Sequence, residues 1–279
     1  MKIRKREVIP QANKVFTDRE EPRKSFWKLF EKLKANISEG DDIQVLSYYG
    51  IGGIGKTSLL RKLMAEMNEK IESPRYVYVD LNIMREPRTV LDSLRNILTE
   101  KYNFNFPMFD LAVYVYAKKI GEKIHDNNNK AEGLIEKSPF LGTVFEVLGE
   151  VPVFGILKKL DKCAGYVKSV IEKRKRDITS IDIEPIEVIY KGLPYYFALD
   201  LSDNLENTKI PLVILIDTYE TLVNEMAGVG EPVNNDLWIR GDDGLVQNSA
   251  RVFWVIAGRE NYVGAKLIQI GKIQSNSIF

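Results

Sequence analysis

The strongest chemical pattern in the chain is Gly50-Ile51-Gly52-Gly53-Ile54-Gly55-Lys56-Thr57, followed by Ser58. Its spacing, G-x-x-x-x-G-K-[ST], is that of a phosphate-binding loop, or P-loop. A phosphate chain needs several backbone N–H groups converging on it, with a helix N-terminus behind them. Glycines let the backbone approach closely and take torsions closed to other residues. The Lys56 ammonium would supply a point charge for the β- and γ-phosphates, and the Thr57 hydroxyl a ligand for Mg²⁺. The bland alternative is an ordinary glycine-rich turn between a strand and a helix.

Two later stretches carry matching chemistry. Pro211-Leu212-Val213-Ile214-Leu215-Ile216-Asp217 is an apolar run ending in a carboxylate. Open α/β sheets place ligand chemistry at such strand ends. This is a Walker B pattern, in which Asp217 would hold the Mg²⁺ shell opposite Thr57. Glu220, just beyond, could orient an attacking water or serve only as a carboxylate opening a helix. Arg251-Val252-Phe253-Trp254-Val255-Ile256-Ala257-Gly258-Arg259-Glu260 reads as another strand. Beside the Walker B strand it would bring Arg259 near the γ-phosphate, where an arginine can sense that group. The alternative is a surface arginine in a loop.

These residues need a sheet to hold them. Ile43–Tyr49 reads as the strand before the P-loop, and Leu59, Leu60, Leu63, Met64, Met67 and Ile71 recur after it at helical spacing. Upstream, Phe26, Phe30, Leu33 and Ile37 line a helix with Thr17 or Asp18 as its cap. Tyr76–Leu81 is a strand rich in aromatic and β-branched residues, and Val90, Leu91, Leu94, Ile97 and Leu98 form a helix after Pro87. The alternation predicts an α/β fold with a mainly parallel central sheet. From about Phe106 to Ile189 no strand is evident, which predicts a large helical insertion broken at 126–129, at Ser138-Pro139 and near Pro152. Lys173-Arg174-Lys175-Arg176 is read as ending one of its helices, where cations suit the dipole, rather than as a nucleic-acid patch. The expected division is a tail at 1–14, ATPase-like segments at 15–105 and 191–279, and the insertion at 106–190.

Composition narrows the function classes. The 279 residues are 44% hydrophobic and 28% charged, with a formal net charge of +1. No global field draws the chain to nucleic acid or an anionic membrane. The basic run Lys2–Arg6 is read as a solvated tail, with no apolar segment to make it a secretory signal. Cys163, the single cysteine, reads as a helix core position, and His125, the single histidine, as part of a turn. One of each gives neither a disulfide framework nor a Cys–His dyad. The expectation is a cytoplasmic protein without a membrane span.

Taken together, the motifs resemble the STAND class of signal-transduction ATPases, related to NB-ARC, NACHT and AAA+ modules. Gly50–Thr57 is similar to that class's G-x-G-G-[IV]-G-K-T loop. Phe16-Thr17-Asp18-Arg19-Glu20 resembles its upstream h-h-G-R-E motif, with Asp18 in the glycine's place. The resemblance assigns Asp18, Arg19 and Glu20 to the adenine and ribose. Ile214–Glu220 resembles the bacterial Walker B variant, and Ala257–Glu260 the sensor strand. The class implies an ATP- and Mg²⁺-dependent switch with slow hydrolysis, whose output is self-association or capture of a protein partner in bacterial signalling or antiphage defence. It also implies effector, lid and repeat domains, so the chain is expected to be a truncated product, one module of a larger system or a minimal member. Three other readings stand beside it: a nucleic-acid-associated ATPase, a nucleotide-binding module without turnover, and a small-molecule kinase.

Overall fold

The computed structural model describes residues 19–36, 44–121, 130–223, 235–259 and 267–272. Helix α1 (Glu20–Asn36) leads to β1 (Gln44–Tyr49), α2 (Lys56–Glu69), β2 (Tyr76–Asp80) and α3 (Pro87–Tyr102). Six helices follow: α4 (Pro107–Lys119), α5 (Lys130–Lys137), α6 (Pro139–Leu148), α7 (Ile156–Leu160), α8 (Gly165–Ile183) and α9 (Ile186–Leu205). Then come β3 (Leu212–Asp217), α10 (Glu220–Val223), α11 (Leu237–Arg240), α12 (Leu245–Asn248), β4 (Val252–Gly258) and β5 (Leu267–Lys272).

The five strands form one sheet in the order β2-β3-β4-β1-β5, and every pairing is parallel. Both faces of β3 and β4 are covered, which is why these strands read as unbroken apolar runs. Alternate residues go to opposite layers. Val213, Leu215, Phe253, Val255 and Ala257 pack with Phe26 and Phe30 of α1 and Leu59, Leu60 and Leu63 of α2. Ile214, Ile216, Trp254 and Ile256 face the helical region on the other side.

Local signals set the helix ends. Glu86 caps α3 by accepting from the N–H groups of Arg88 and Thr89, and Pro87 occupies the first turn. The first N–H groups of α4 are satisfied from a distance: Met108 (3.3 Å) and Phe109 (2.8 Å) donate to the buried Asp200 carboxylate of α9. Phe197 of α9 stacks on Phe106 at 4.8 Å and meets Phe109 edge-on. At the sheet margin the Tyr102 hydroxyl accepts from the Tyr76 N–H and donates to its carbonyl, both at 2.9 Å. That contact occupies part of the β2 edge that could otherwise pair with another strand.

Several expectations need correction. The helical region does not stop at residue 190, because α9 runs on to Leu205, burying Leu193, Phe197, Leu201 and Leu205. The basic run at 173–176 does close one helical stretch, because α8 continues past it only across a kink at Arg174, which takes φ −118° and ψ 23°. Two of the run's four cations pair with acids of α9 and the residue after it: Lys173 with Asp203 (3.0 Å) and Glu206 (3.1 Å), and Arg174 with Asp203 (2.6 Å). Cys163 is buried, but in the turn between α7 and α8 rather than on a helix. Ile71 is exposed beyond the end of α2. A fifth strand, β5, follows the expected last strand and pairs with β1. His125 and the 126–129 turn lie outside the described residues, as do Thr17 and Asp18. No helix among the described residues is long and apolar enough to cross a membrane.

A buried ion pair joins α3 to the helical region. Arg95 of α3 grips Asp110 of α4 with two bonds, at 3.0 and 2.9 Å, and donates a third to the Lys137 carbonyl. Burial pushes the Asp110 carboxyl up, against the pull of the guanidinium. Asp110→Ala would strand the Arg95 charge in the interior. The expected loss is about 3–5 kcal/mol of stability, read as a lower urea midpoint at neutral pH.

Candidate functional site

The P-loop connects β1 to α2 at the carboxyl edge of the sheet. Gly55 caps α2 with φ +87°, a left-handed torsion that favours glycine. A Cβ there would lie 3.1 Å from the Arg19 guanidinium. The Gly50 N–H donates to the Gly258 carbonyl at 3.3 Å, so the loop is tied to the end of β4. Lys56 turns back over the loop, donating to the carbonyls of Gly50 (2.7 Å) and Ile51 (3.1 Å). Burial pushes its ammonium below the usual lysine range. Glu220 and Asp217 oppose that push, while Arg259 and Arg19 add to it.

The sheet order decides what meets the loop. Strand β4 lies between β1 and β3, so Arg259 emerges between the P-loop and Asp217. Its guanidinium comes within 3.5 Å of where a Gly52 Cβ would stand. Both Glu220 oxygens engage Arg259, one accepting from the backbone N–H (3.0 Å) and the other facing Nε (3.2 Å). Asp217 is buried and accepts from the Tyr78 hydroxyl (3.1 Å) and the Thr218 N–H (2.9 Å). Burial, with Asp217 alongside, pushes the Tyr78 phenol well above its ordinary value.

A cleft of about 360 Å³ is lined by Gly52, Gly53, Gly55, Lys56, Thr57, Ser58, Asp217, Thr218, Glu220 and Arg259. The sequence singled out every one of these except Thr218. Other candidates stand apart from the lining. Ile51 is exposed at the loop tip, and Ile54 packs against the layer of α1 and α2. Gly50 lies behind the loop as an acceptor for Lys56. Arg19 flanks the loop at Gly55. Glu20 opens α1 and pairs with Lys24 at 3.3 Å on the helix surface, which is an ordinary first-turn role. Asp18 lies outside the described residues. Sequence reasoning missed Asp80 and Tyr78 on β2, although Asp80 carries the signal that identified Asp217, an acid at the end of an apolar strand.

The fit of Mg²⁺ can be judged from the donors. Thr57 and Asp217 line the same cleft, and no group of three or more His, Cys, Asp or Glu ligands occurs among the described residues. One carboxylate, one hydroxyl and phosphate oxygens are a donor set that suits Mg²⁺.

Residues 26–106 match the NB-ARC domain family. That span runs from α1 through the P-loop, β2 and α3. No curated protein matches the chain. The match supports a P-loop nucleotide-binding module of the STAND class, and the parallel sheet flanked by helices is consistent with that fold.

The two glycines beside arginines should respond differently to alanine. Gly55→Ala forces a left-handed alanine into the Arg19 guanidinium and should cost about 1–3 kcal/mol. Gly52→Ala makes only an ordinary contact with Arg259 and should stay within about 0.5 kcal/mol. Thermal melting of the two variants in parallel checks the contrast.

Proposed function

We propose that this STAND-class module is an ATP-operated switch: it binds ATP with Mg²⁺ in the P-loop cleft, turns it over slowly and changes its associations with the γ-phosphate's presence. The observation that carries this reading is the convergence of Lys56, Asp217, Glu220 and Arg259 on one cleft at the carboxyl edge of the sheet. In it, the P-loop N–H groups and Lys56 hold the phosphates. Thr57 and Asp217 would hold the cation, which would supply charge neutralisation for the phosphates. Glu220 orients the attacking water, and Arg259 reads the γ-phosphate. Loss of that phosphate removes the contact that favours one arrangement of the cleft. The output is self-association or capture of a protein partner, in cytoplasmic signalling or defence against phage. This last step rests on the resemblance to STAND proteins.

A second reading is supported by the Glu220–Arg259 contact. With both carboxylate oxygens engaged, Glu220 is held away from the role of activating water. A module that holds nucleotide without turning it over would carry the same cleft. A nucleic-acid motor is disfavoured, since Lys173 and Arg174 of the one internal basic run are paired with acids.

Lys56→Ala should abolish nucleotide binding, measured by titrating a fluorescent ATP analogue into wild type and variant. Equal affinity would sink the switch reading.

Glu220→Gln should retain ATP binding but slow single-turnover hydrolysis by roughly 10²-fold or more. Normal turnover would leave Glu220 as a helix-start residue, while a wild type that binds but never hydrolyses would favour the second reading.

A further inference from the structure

Asp80 ends β2 directly opposite Asp217 in the β2–β3 register. Its Oδ1 accepts from the Thr218 hydroxyl at 2.8 Å and from the Asn82 N–H at 2.9 Å. Thr218 holds φ at +59°, a region that a β-branched residue rarely enters. Backbone in such a region persists only where its surroundings over-determine it. Here the hydroxyl is bound to Asp80, and the N–H is bound to Asp217 Oδ1 at 2.9 Å. The carbonyl accepts from the N–H (3.1 Å) and hydroxyl (2.9 Å) of Thr221. Of the bonds made by Thr218 itself, the one its hydroxyl donates to Asp80 reaches another strand, β2. The next residue, Tyr219, ties the turn to β4 through its N–H and the Ala257 carbonyl at 3.0 Å, so the Asp80 bond is the tie that fixes the left-handed residue.

We infer that Asp80 is a positioning residue of the cleft: through the Thr218 hydroxyl it holds the left-handed turn that aims the Asp217 carboxylate and starts the helix carrying Glu220. The link is geometric and needs only an acceptor oxygen at Asp80, not its charge. The side-chain carbonyl of asparagine has two lone pairs and can accept both bonds that Oδ1 accepts now. The consequence for turnover rests on the nucleotide-switch reading; the consequence for the turn does not.

The test uses the full chain in four variants: Asp80→Ala, Asp80→Asn, Thr218→Val and Thr218→Ser. ATP turnover and ATP-analogue affinity are measured for each. Amide hydrogen exchange of peptides spanning residues 212–223 is followed in nucleotide-free protein. Asp80→Ala and Thr218→Val should lower turnover by about 10–100-fold, the usual effect of losing a partner that orients a metal ligand. Their affinity for the analogue should stay within about threefold, since the P-loop is untouched, and exchange in the peptide should accelerate. Asp80→Asn and Thr218→Ser should restore both turnover and slow exchange. Equal losses for Asp80→Asn and Asp80→Ala would make the charge itself the active feature and overturn the inference. So would unchanged exchange in Asp80→Ala and Thr218→Val. Should Asp80→Ala fail to fold, Thr218→Val, which preserves side-chain shape, decides alone. If wild type neither binds nor hydrolyses ATP, the switch reading fails, and the exchange measurement still decides the positioning.

Discussion

Burial of β3 and β4 on both faces is the constraint from which the cleft follows. Each strand is apolar up to its carboxyl end and has a helical layer above and below it. A slip of one residue would exchange the side chains destined for the two layers, so packing fixes the register. The fixed register brings Asp80 level with Asp217 and Tyr49 level with Gly258. Every functional residue near the cleft then leaves the sheet at the same edge. Parallel pairing throughout is what makes this possible, because it puts all the carboxyl ends on one side.

That edge concentrates charge of both signs. Lys56, Arg19 and Arg259 crowd the P-loop, while Asp217 and Glu220 face them. The two arginines and burial disfavour a protonated Lys56, and the carboxylates favour it. A polyanion entering the loop adds negative charge where three cations already converge. The carbonyls of Gly50 and Ile51 hold Lys56 close by, so little rearrangement is needed for it to meet a phosphate. Glu220 is different: its contacts are both with Arg259, so any new partner for that arginine also changes the surroundings of Glu220.

Much of this was legible from short-range pattern. The P-loop, the apolar run into Asp217 and the strand into Arg259 each advertise themselves locally, and all three reach one cleft. What escaped depended on partners distant in sequence. The run at 173–176 closes one helical stretch at the Arg174 kink, but nothing in the local sequence says that Asp203 and Glu206 pair with Lys173 and Arg174. The end of α9 was hidden by Gly192 and Pro194, residues that normally interrupt helices, yet α9 continues through both. Strand β5 carries only Leu267, Ile268 and Ile270 as apolar residues, a weak signal for a strand that pairs along one side with β1. Asp80 escaped because its role exists only through Thr218, and a left-handed threonine cannot be read from residue type.

The helical region is joined to the cleft through Tyr219. This residue lies between the strained Thr218 and Glu220, and its ring is buried. Its hydroxyl donates to Asp236 at 2.7 Å, and Asp236 also holds Arg240 of α11 at 2.7 Å. Helices α11 and α12 pack on α9. On the opposite side, a Cβ at Gly258 would lie 3.1 Å from the Tyr219 Cβ, so the ring's attachment point has no slack against β4. Close-packed interiors transmit displacement rather than absorb it. The turn carrying Glu220 is closely packed against β4 on one side and bonded to Asp236 on the other. That turn and the helices on that face of the sheet thus share one buried side chain, Tyr219.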